Sequence, residues 1–210
     1  MSQFLEALEW RYATKKFDAT RMLPASKITV VKNAFNLTAS SFGLQPVKLL
    51  VIQDQNLQND LVPVSMNQQQ VADASHVLVF CIEKNIDQSY IEAYFSNVKE
   101  TRNTPDEILK PFRDYLYGHF ANESPEAIEN WATKQAYLAM GNLLTICALE
   151  KIDACPMEGF NSDRYNELLG LSEKGLSAVL VMPIGYRADD DMFADFKKVR
   201  KTLSDAVIEI

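Results

Sequence analysis

From Tyr137 to Leu149 the chain is apolar on nearly every face of a helix, with Asn142 and Thr145 as the polar exceptions. A helix of that composition predicts burial on all sides, so other elements have to pack around it. Its start is written in Ser124-Pro125-Glu126, which offers an N-cap hydroxyl, a proline at the first helical position and an acid beside the positive end of the dipole. The helix is expected to run to about Glu150 and to form the spine of the fold.

Strands and further helices follow from periodicity. His76 to Glu83 encloses a continuously apolar run, as a strand covered on both faces would. Residues 48–53 and Ser177 to Ile184 are two more strands, the latter after a turn at Lys174-Gly175, and the terminal Val207-Ile208-Glu209-Ile210 is β-like. Residues 2–10 and 26–37 carry apolar residues at helical spacing, with Ile28, Val31 and Phe35 on one stripe. Residues 87–121 read as helix with a break near Thr104-Pro105, and their aromatic residues (Tyr94, Phe95, Phe112, Tyr115, Tyr117 and Phe120) are either core or a substrate-gating face. Interleaving without strict alternation predicts a three-layer α+β fold. The 210 residues, 47% hydrophobic, can bury roughly 70% of their unfolded surface, which suits a single domain over 1–210.

Several chemistries are excluded. A formal net charge of -7 argues against a nucleic-acid partner. Cys81, Cys147 and Cys155 form no C-x-x-C pair and read as reduced core thiols, and two histidines are too few for a zinc site. Without a secretory N-terminus or an apolar run of the ~18 residues a membrane span needs, the expected location is the cytoplasm and no membrane partner is expected. Gly170-Leu-Ser-Glu-Lys-Gly175 is followed by Leu176-Ser177 and is a turn rather than a phosphate loop. Asp73, Ser75 and His76 lie too close together for a hydrolase triad and read as a cap before a strand. The run Asp189-Asp190-Asp191 reads as a solvated loop or helix N-cap with no assigned function.

Five stretches remain, in fixed order: Arg11-Tyr12-Ala13-Thr14-Lys15-Lys16-Phe17-Asp18, Ser40-Ser41-Phe42-Gly43-Leu44-Gln45-Pro46, Asp73-Ala74-Ser75-His76-Val77, Pro156-Met157-Glu158-Gly159-Phe160 and Lys198-Val199-Arg200. Together they resemble the FMN-dependent nitroreductase family, over essentially the whole chain, and most closely its compact bacterial NAD(P)H nitroreductase and dihydropteridine reductase-like members. The resemblance implies a mixed central sheet flanked by helices in an intertwined homodimer. It also implies an FMN-dependent NAD(P)H oxidoreductase that reduces nitroaromatic or quinone-like acceptors by ping-pong hydride transfer. A dihydropteridine or enone reductase of the same fold, and a flavin-storing or regulatory protein without turnover, stay open as alternatives.

The resemblance also distributes the cofactor contacts. Arg11 and Arg200 fall to the phosphate, where bidentate guanidinium geometry suits phosphate oxygens, with Lys198 assisting. Tyr12 and Ala13 share that motif. Lys15 falls to the flavin N1–O2 edge, where a cation stabilises the charge gained on reduction. Asn67 and Gln70 fall to the polar edge of the ring; Pro156, Met157, Glu158 and Gly159 lie against it, with the Glu158 backbone N–H directed at N5. Ser40, Ser41 and Gly43 fall to the flavin of the partner subunit. Against the family pattern, Tyr12 stands where His or Arg is frequent and Ala13 where Ser is common, so one hydroxyl donor is missing. Gln70 replaces a lysine of several relatives, which predicts a lower flavin potential, and Val47 stands where Trp is frequent.

Overall fold

The continuously apolar run His76–Glu83 is a strand in which every residue but Glu83 is buried. The computed structural model describes residues 2–210, so Met1 lies outside the described residues. Its strands are β1 (Val47–Ile52), β2 (His76–Glu83), β3 (Asp153–Ala154) and β4 (Leu176–Gly185), in the order β1-β2-β4-β3. The three pairings are antiparallel, so the sheet is antiparallel rather than mixed; an isolated parallel bridge joins Ala13 to Ala154 beside it. Full burial of β2 is what a central strand with both ladders satisfied and both faces covered requires.

The helices are α1 (Gln3–Trp10), α2 (Ala25–Asn36), α3 (Gln55–Leu61), α4 (Gln70–Asp73), α5 (Gln88–Arg102), α6 (Asp106–Ala121), α7 (Pro125–Leu149), α8 (Ser162–Leu168) and α9 (Leu203–Ala206). Because successive side chains of a strand point to opposite faces, β2 feeds two cores. Leu78, Phe80 and Ile82 join Leu180, Met182 and Ile184 of β4 against α2 and α7. Val77, Val79 and Cys81 face the other way, against Leu61 of α3, Val71 of α4 and Tyr165 of α8. These cores bound the three layers. A third cluster, with Ile91 and Phe95 of α5 and Leu116 and Phe120 of α6, closes a helical hairpin beside the start of α7.

The expected start of α7 is present: the Ser124 hydroxyl accepts from the Ala127 N–H, and Pro125 opens the helix. The break in 87–121 is present too. The helix α5 stops at Arg102, Asn103 turns left-handed, and Pro105 precedes α6.

Two further expectations are corrected. The helix α7 is not buried on all sides in one chain, because the sheet, α1 and α2 cover only the stripe of Ala132, Ala136, Ala139, Met140, Leu143, Cys147 and Ala148, while Tyr137 and Leu138 are 46% and 51% exposed. The terminal Val207–Ile210 forms no strand; it follows the one-turn α9, is exposed, and pairs with no strand among the described residues.

Candidate functional site

The helix α1 ends at Trp10, and Arg11 closes it by donating its backbone N–H to the Ala7 carbonyl. The chain then runs extended and is fastened along both sides. Thr14 N–H donates to the Ala154 carbonyl at 3.3 Å, Ala188 N–H to the Lys16 carbonyl at 3.0 Å, and Phe17 bridges Arg187. From the far end of the sequence, the Lys198 ammonium donates to the Arg11 carbonyl. Arg11, Lys15, Lys197, Lys198 and Arg200 thereby line one cavity of about 350 Å³, with Tyr12, Ala13, Phe193 and Phe196 as its other walls and, among the described residues, no carboxylate in its lining.

Such a cage is unfavourable while it holds only cations. Burial, and then the neighbouring Arg200, hold the Arg11 pKa below its ordinary value. Burial, and then Arg11 and Arg200, do the same for Lys198. Groups that repel one another in this way are relieved by an anion bound between them. Five donors-only side chains around one hollow suit a phosphate, so the residues present fit the phosphate of a mononucleotide.

What fixes the cage is a network that the sequence reading passed over. Asp191, buried, accepts through Oδ2 from the Tyr12 hydroxyl at 2.8 Å and from the backbone N–H groups of Lys15 and Lys16 at 2.9 and 3.1 Å. Burial works to raise its pKa, but the hydrogen bonds to Lys15, Tyr12, Lys16 and Phe193 outweigh it and hold the carboxyl below the usual range. Beside it, Arg187 lies between the rings of Trp10 and Tyr12, 4.3 and 4.6 Å from their centroids, and pairs with buried Asp153. Arg187 Nε donates to Asp153 Oδ1 at 2.7 Å; Nη2 lies 2.6 Å from the same oxygen but off the direction of a hydrogen bond. The sign that could have found Asp191 was present, since the acidic run had N-cap character and Asp191 does cap Phe193. Its reach to Tyr12, across 179 residues, was not visible in the sequence.

Pro156, Met157 and Glu158 lie at a second hollow of about 420 Å³ beside the exposed face of α7. Met157 exchanges two backbone hydrogen bonds with Val181, at 2.8 and 3.1 Å, which docks the turn on β4. The Tyr137 hydroxyl donates to Glu158 Oε1 at 2.7 Å at the rim. Gly159 is joined to the segment carrying Asn67 and Gln70 through Gln68, whose Nε2 donates to the Gly159 carbonyl at 2.9 Å and the Ser65 carbonyl at 3.0 Å. A Cβ on Gly159 would sit 3.1 Å from Met66 Sδ and 3.2 Å from Gln68 Nε2, so a larger residue would push these two side-chain ends aside by a few tenths of an ångström. Asn67 has a left-handed backbone and Gln70 opens α4, largely buried.

Ser40, Ser41 and Gly43 stand apart from both hollows. Gln45 N–H donates to Ser40 Oγ, and Ser41 N–H to Gln135 Oε1. Gly43 has φ +74° and its missing Cβ would lie 2.8 Å from the Tyr94 hydroxyl oxygen. Phe42 sits amid the rings of Phe112, Tyr115, His119, Phe120 and Trp131. Phe95 and Phe120 are core, whereas Phe112 and Tyr115 keep exposed faces. A further hollow of about 520 Å³ lies between the β2–α5 connection, α6 and α7; Tyr117 and Phe120 line it, with neither a cationic cluster nor an expected cofactor contact.

Ser75 Oγ is 2.9 Å from His76 Nδ1 and also accepts from Leu23 N–H, while Asp73 accepts from Gln69 and touches neither, so no triad forms. Among the described residues no group of His, Cys, Asp and Glu is placed to hold a metal, and no helix is long and apolar enough to cross a membrane. The three cysteines are free and buried.

Fold and site together define an α+β protein with an anion cage assembled from both ends of one chain. Residues 8–186 match the model of the nitroreductase family, and the chain belongs to that family, a class of oxidoreductases. It is 31% identical to a Staphylococcus saprophyticus protein named "Putative NAD(P)H nitroreductase", over 97% of this chain and 94% of that one. Its fold is similar to that of a "putative nitroreductase" from Exiguobacterium sibiricum in complex with FMN, with TM-score 0.85, 21% identity and coverage of 100% and 98% of the two chains. A nitroreductase-like protein from Streptococcus mutans superposes with TM-score 0.85 at 22% identity, covering 100% and 99%. At those identities the two solved structures speak to the fold alone.

Proposed function

We propose that the protein binds FMN and uses NAD(P)H to reduce nitroaromatic or quinone-like acceptors, as a homodimer in the cytoplasm. The observation that carries the reading is the cage of Arg11, Lys15, Lys198 and Arg200, four cations from opposite ends of the sequence around one cavity with no acid among its described lining residues. FMN would supply the acceptance of hydride from the nicotinamide and its delivery to the acceptor, the two substrates using the same space in turn. The chain supplies position and charge. Arg11, Arg200 and Lys198 hold the phosphate, with Tyr12 and Ala13 forming the wall beside it, and Lys15 keeps a cation toward the ring. Asn67 and Gln70 bond the polar edge of the ring. Pro156, Met157, Glu158 and Gly159 form a flat turn on which the ring rests, and among the described residues the Glu158 N–H has no protein acceptor, which leaves it free for N5.

Three features support the homodimer. The helix α7 carries an uncovered apolar face at Tyr137 and Leu138, the terminal Val207–Ile210 has no ladder partner, and Ser40, Ser41 and Gly43 lie away from their own chain's cage. The decisive experiment is optical. Purified protein should be yellow, be bleached by NADH or NADPH and regain colour with a nitroaromatic or quinone. Colourless protein that cannot be reconstituted with FMN would overturn the reading, and a monomer by sedimentation would overturn the homodimer.

A further inference from the structure

Beside the anion cage stands a buried group of the wrong charge, Asp191. Asp191 is 5% exposed, its side chain faces the same loop that carries Arg11 and Lys15, and its charge opposes the binding of any phosphate nearby. None of its hydrogen bonds goes to a cationic side chain: three donors come from the loop, the fourth from Phe193 N–H at 3.1 Å onto Oδ1. The carboxylate therefore does not neutralise the cage; it clamps two of its walls to each other, the 12–16 loop on Oδ2 and the turn bearing Phe193 on Oδ1. Beyond Phe196 the chain has no regular structure until α9, and Lys198 and Arg200 hang from that stretch. Directed bonds at Asp191 thus fasten the C-terminal arm a few residues before its cations are needed.

We propose that Asp191, acting through the Tyr12 hydroxyl and the Lys15–Lys16 backbone, is the positioning residue that sets the spacing between the Arg11–Lys15 loop and the Lys198–Arg200 arm, and so selects a phosphate-bearing flavin. The proposal rests on the FMN reading. It also gives Tyr12 a use: a phenol at that position reaches Asp191 and stacks on Arg187, work that neither alanine nor a short hydroxyl could do.

Asn in place of Asp191 keeps the shape but has one acceptor oxygen and one NH2. Turned to satisfy Tyr12, Lys15 and Lys16, it points its NH2 at the Phe193 N–H; turned the other way, it sets donors against three donors. One wall must release. A fastening of general structural value would lower the affinity for every flavin alike, whereas a phosphate-positioning clamp lowers it only for the phosphorylated one.

The test titrates the full-length protein, freed of flavin, with FMN and with riboflavin, which lacks the phosphate. Asp191→Asn should weaken FMN binding about tenfold, the size of one charge-assisted contact, and riboflavin binding less than about twofold. Tyr12→Phe, which removes a single hydroxyl and keeps the ring on Arg187, should reduce the FMN preference about threefold and decides the matter alone should the Asn variant not fold. Arg200→Ala tests the cage itself: loss of the FMN preference there, with the preference intact in both Asp191→Asn and Tyr12→Phe, overturns the role of Asp191 only. An unchanged preference in Arg200→Ala overturns the cage reading and the proposal with it. Equal losses for FMN and riboflavin in Asp191→Asn and Tyr12→Phe overturn the positioning role in favour of a structural one.

Discussion

Removing the carboxylate of Asp153 is expected to destabilise the protein far more than its position on a two-residue strand suggests. Asp153 is 5% exposed at its side chain and its partner Arg187 23%. The pair is joined by Nε to Oδ1 at 2.7 Å and by the Arg187 backbone N–H to Oδ2 at 2.9 Å. Breaking a fully buried pair by deleting one member costs about 3–5 kcal/mol, because the other charge is left without compensation. Partial access of water to Arg187 reduces this, so Asp153→Asn should cost about 2–3 kcal/mol. The rings of Trp10 and Tyr12 retain the guanidinium in the variant and keep it from escaping freely to solvent. Urea denaturation of the wild type, Asp153→Asn, Arg187→Met and the double variant measures the coupling, and the double variant should recover at least about 1 kcal/mol over the sum of the single losses. A coupling below about 0.5 kcal/mol would place the pair with exposed ion pairs and refute the argument.

Four other outcomes follow from particular contacts. Gly43→Ala forces a left-handed residue to carry a Cβ 2.8 Å from the Tyr94 hydroxyl; a loss of about 1–2 kcal/mol from the backbone should persist when Tyr94→Phe removes the clash, and thermal unfolding of both variants separates the two shares. Burial pushes the Cys81 and Cys147 thiols up to about 12 and raises Cys155, so a disulfide reagent at pH 8 should label none of them in native protein and all three after denaturation. The preference for FMN over riboflavin should fall as pH rises through the depressed pKa of Lys198, below the ~10.4 of an ordinary lysine, because only the protonated amine attracts phosphate; a preference still undiminished once the pH has reached that ordinary lysine value would count against the contact. Gln70→Lys should raise the flavin midpoint potential in a spectroelectrochemical titration, and an unchanged or lower value would remove Gln70 from the ring edge.

Elements whose physics is local or periodic could be read directly along the chain. The strand His76–Glu83 was legible because burial on two faces demands an unbroken apolar run, and α7 announced its start through a hydroxyl cap and a proline. The stop between α5 and α6 was legible for the same reason, a proline whose ring forbids the preceding helix to continue. Short elements left no such trace: α3 and α8 have seven residues each, mostly polar, and only their caps, Asp54 and Asn161, marked them. The cations of the site could be named from motifs, but their meeting could not be read from the chain.

Other features emerge only in the folded chain. The fold shows that one face of α7 is uncovered in a single chain, that Val207–Ile210 finds no strand partner, and that Asp191 of a seemingly solvated acidic run is buried on a loop 175 to 179 residues away. A strand's period or a helix's cap is stored in neighbours a few positions apart, so sequence displays it directly. The pairing of Asp191 with Tyr12, or of Lys198 with Arg11, exists only after the sheet has closed the distance between the two ends, and no local pattern encodes which distant donor a carboxylate will meet.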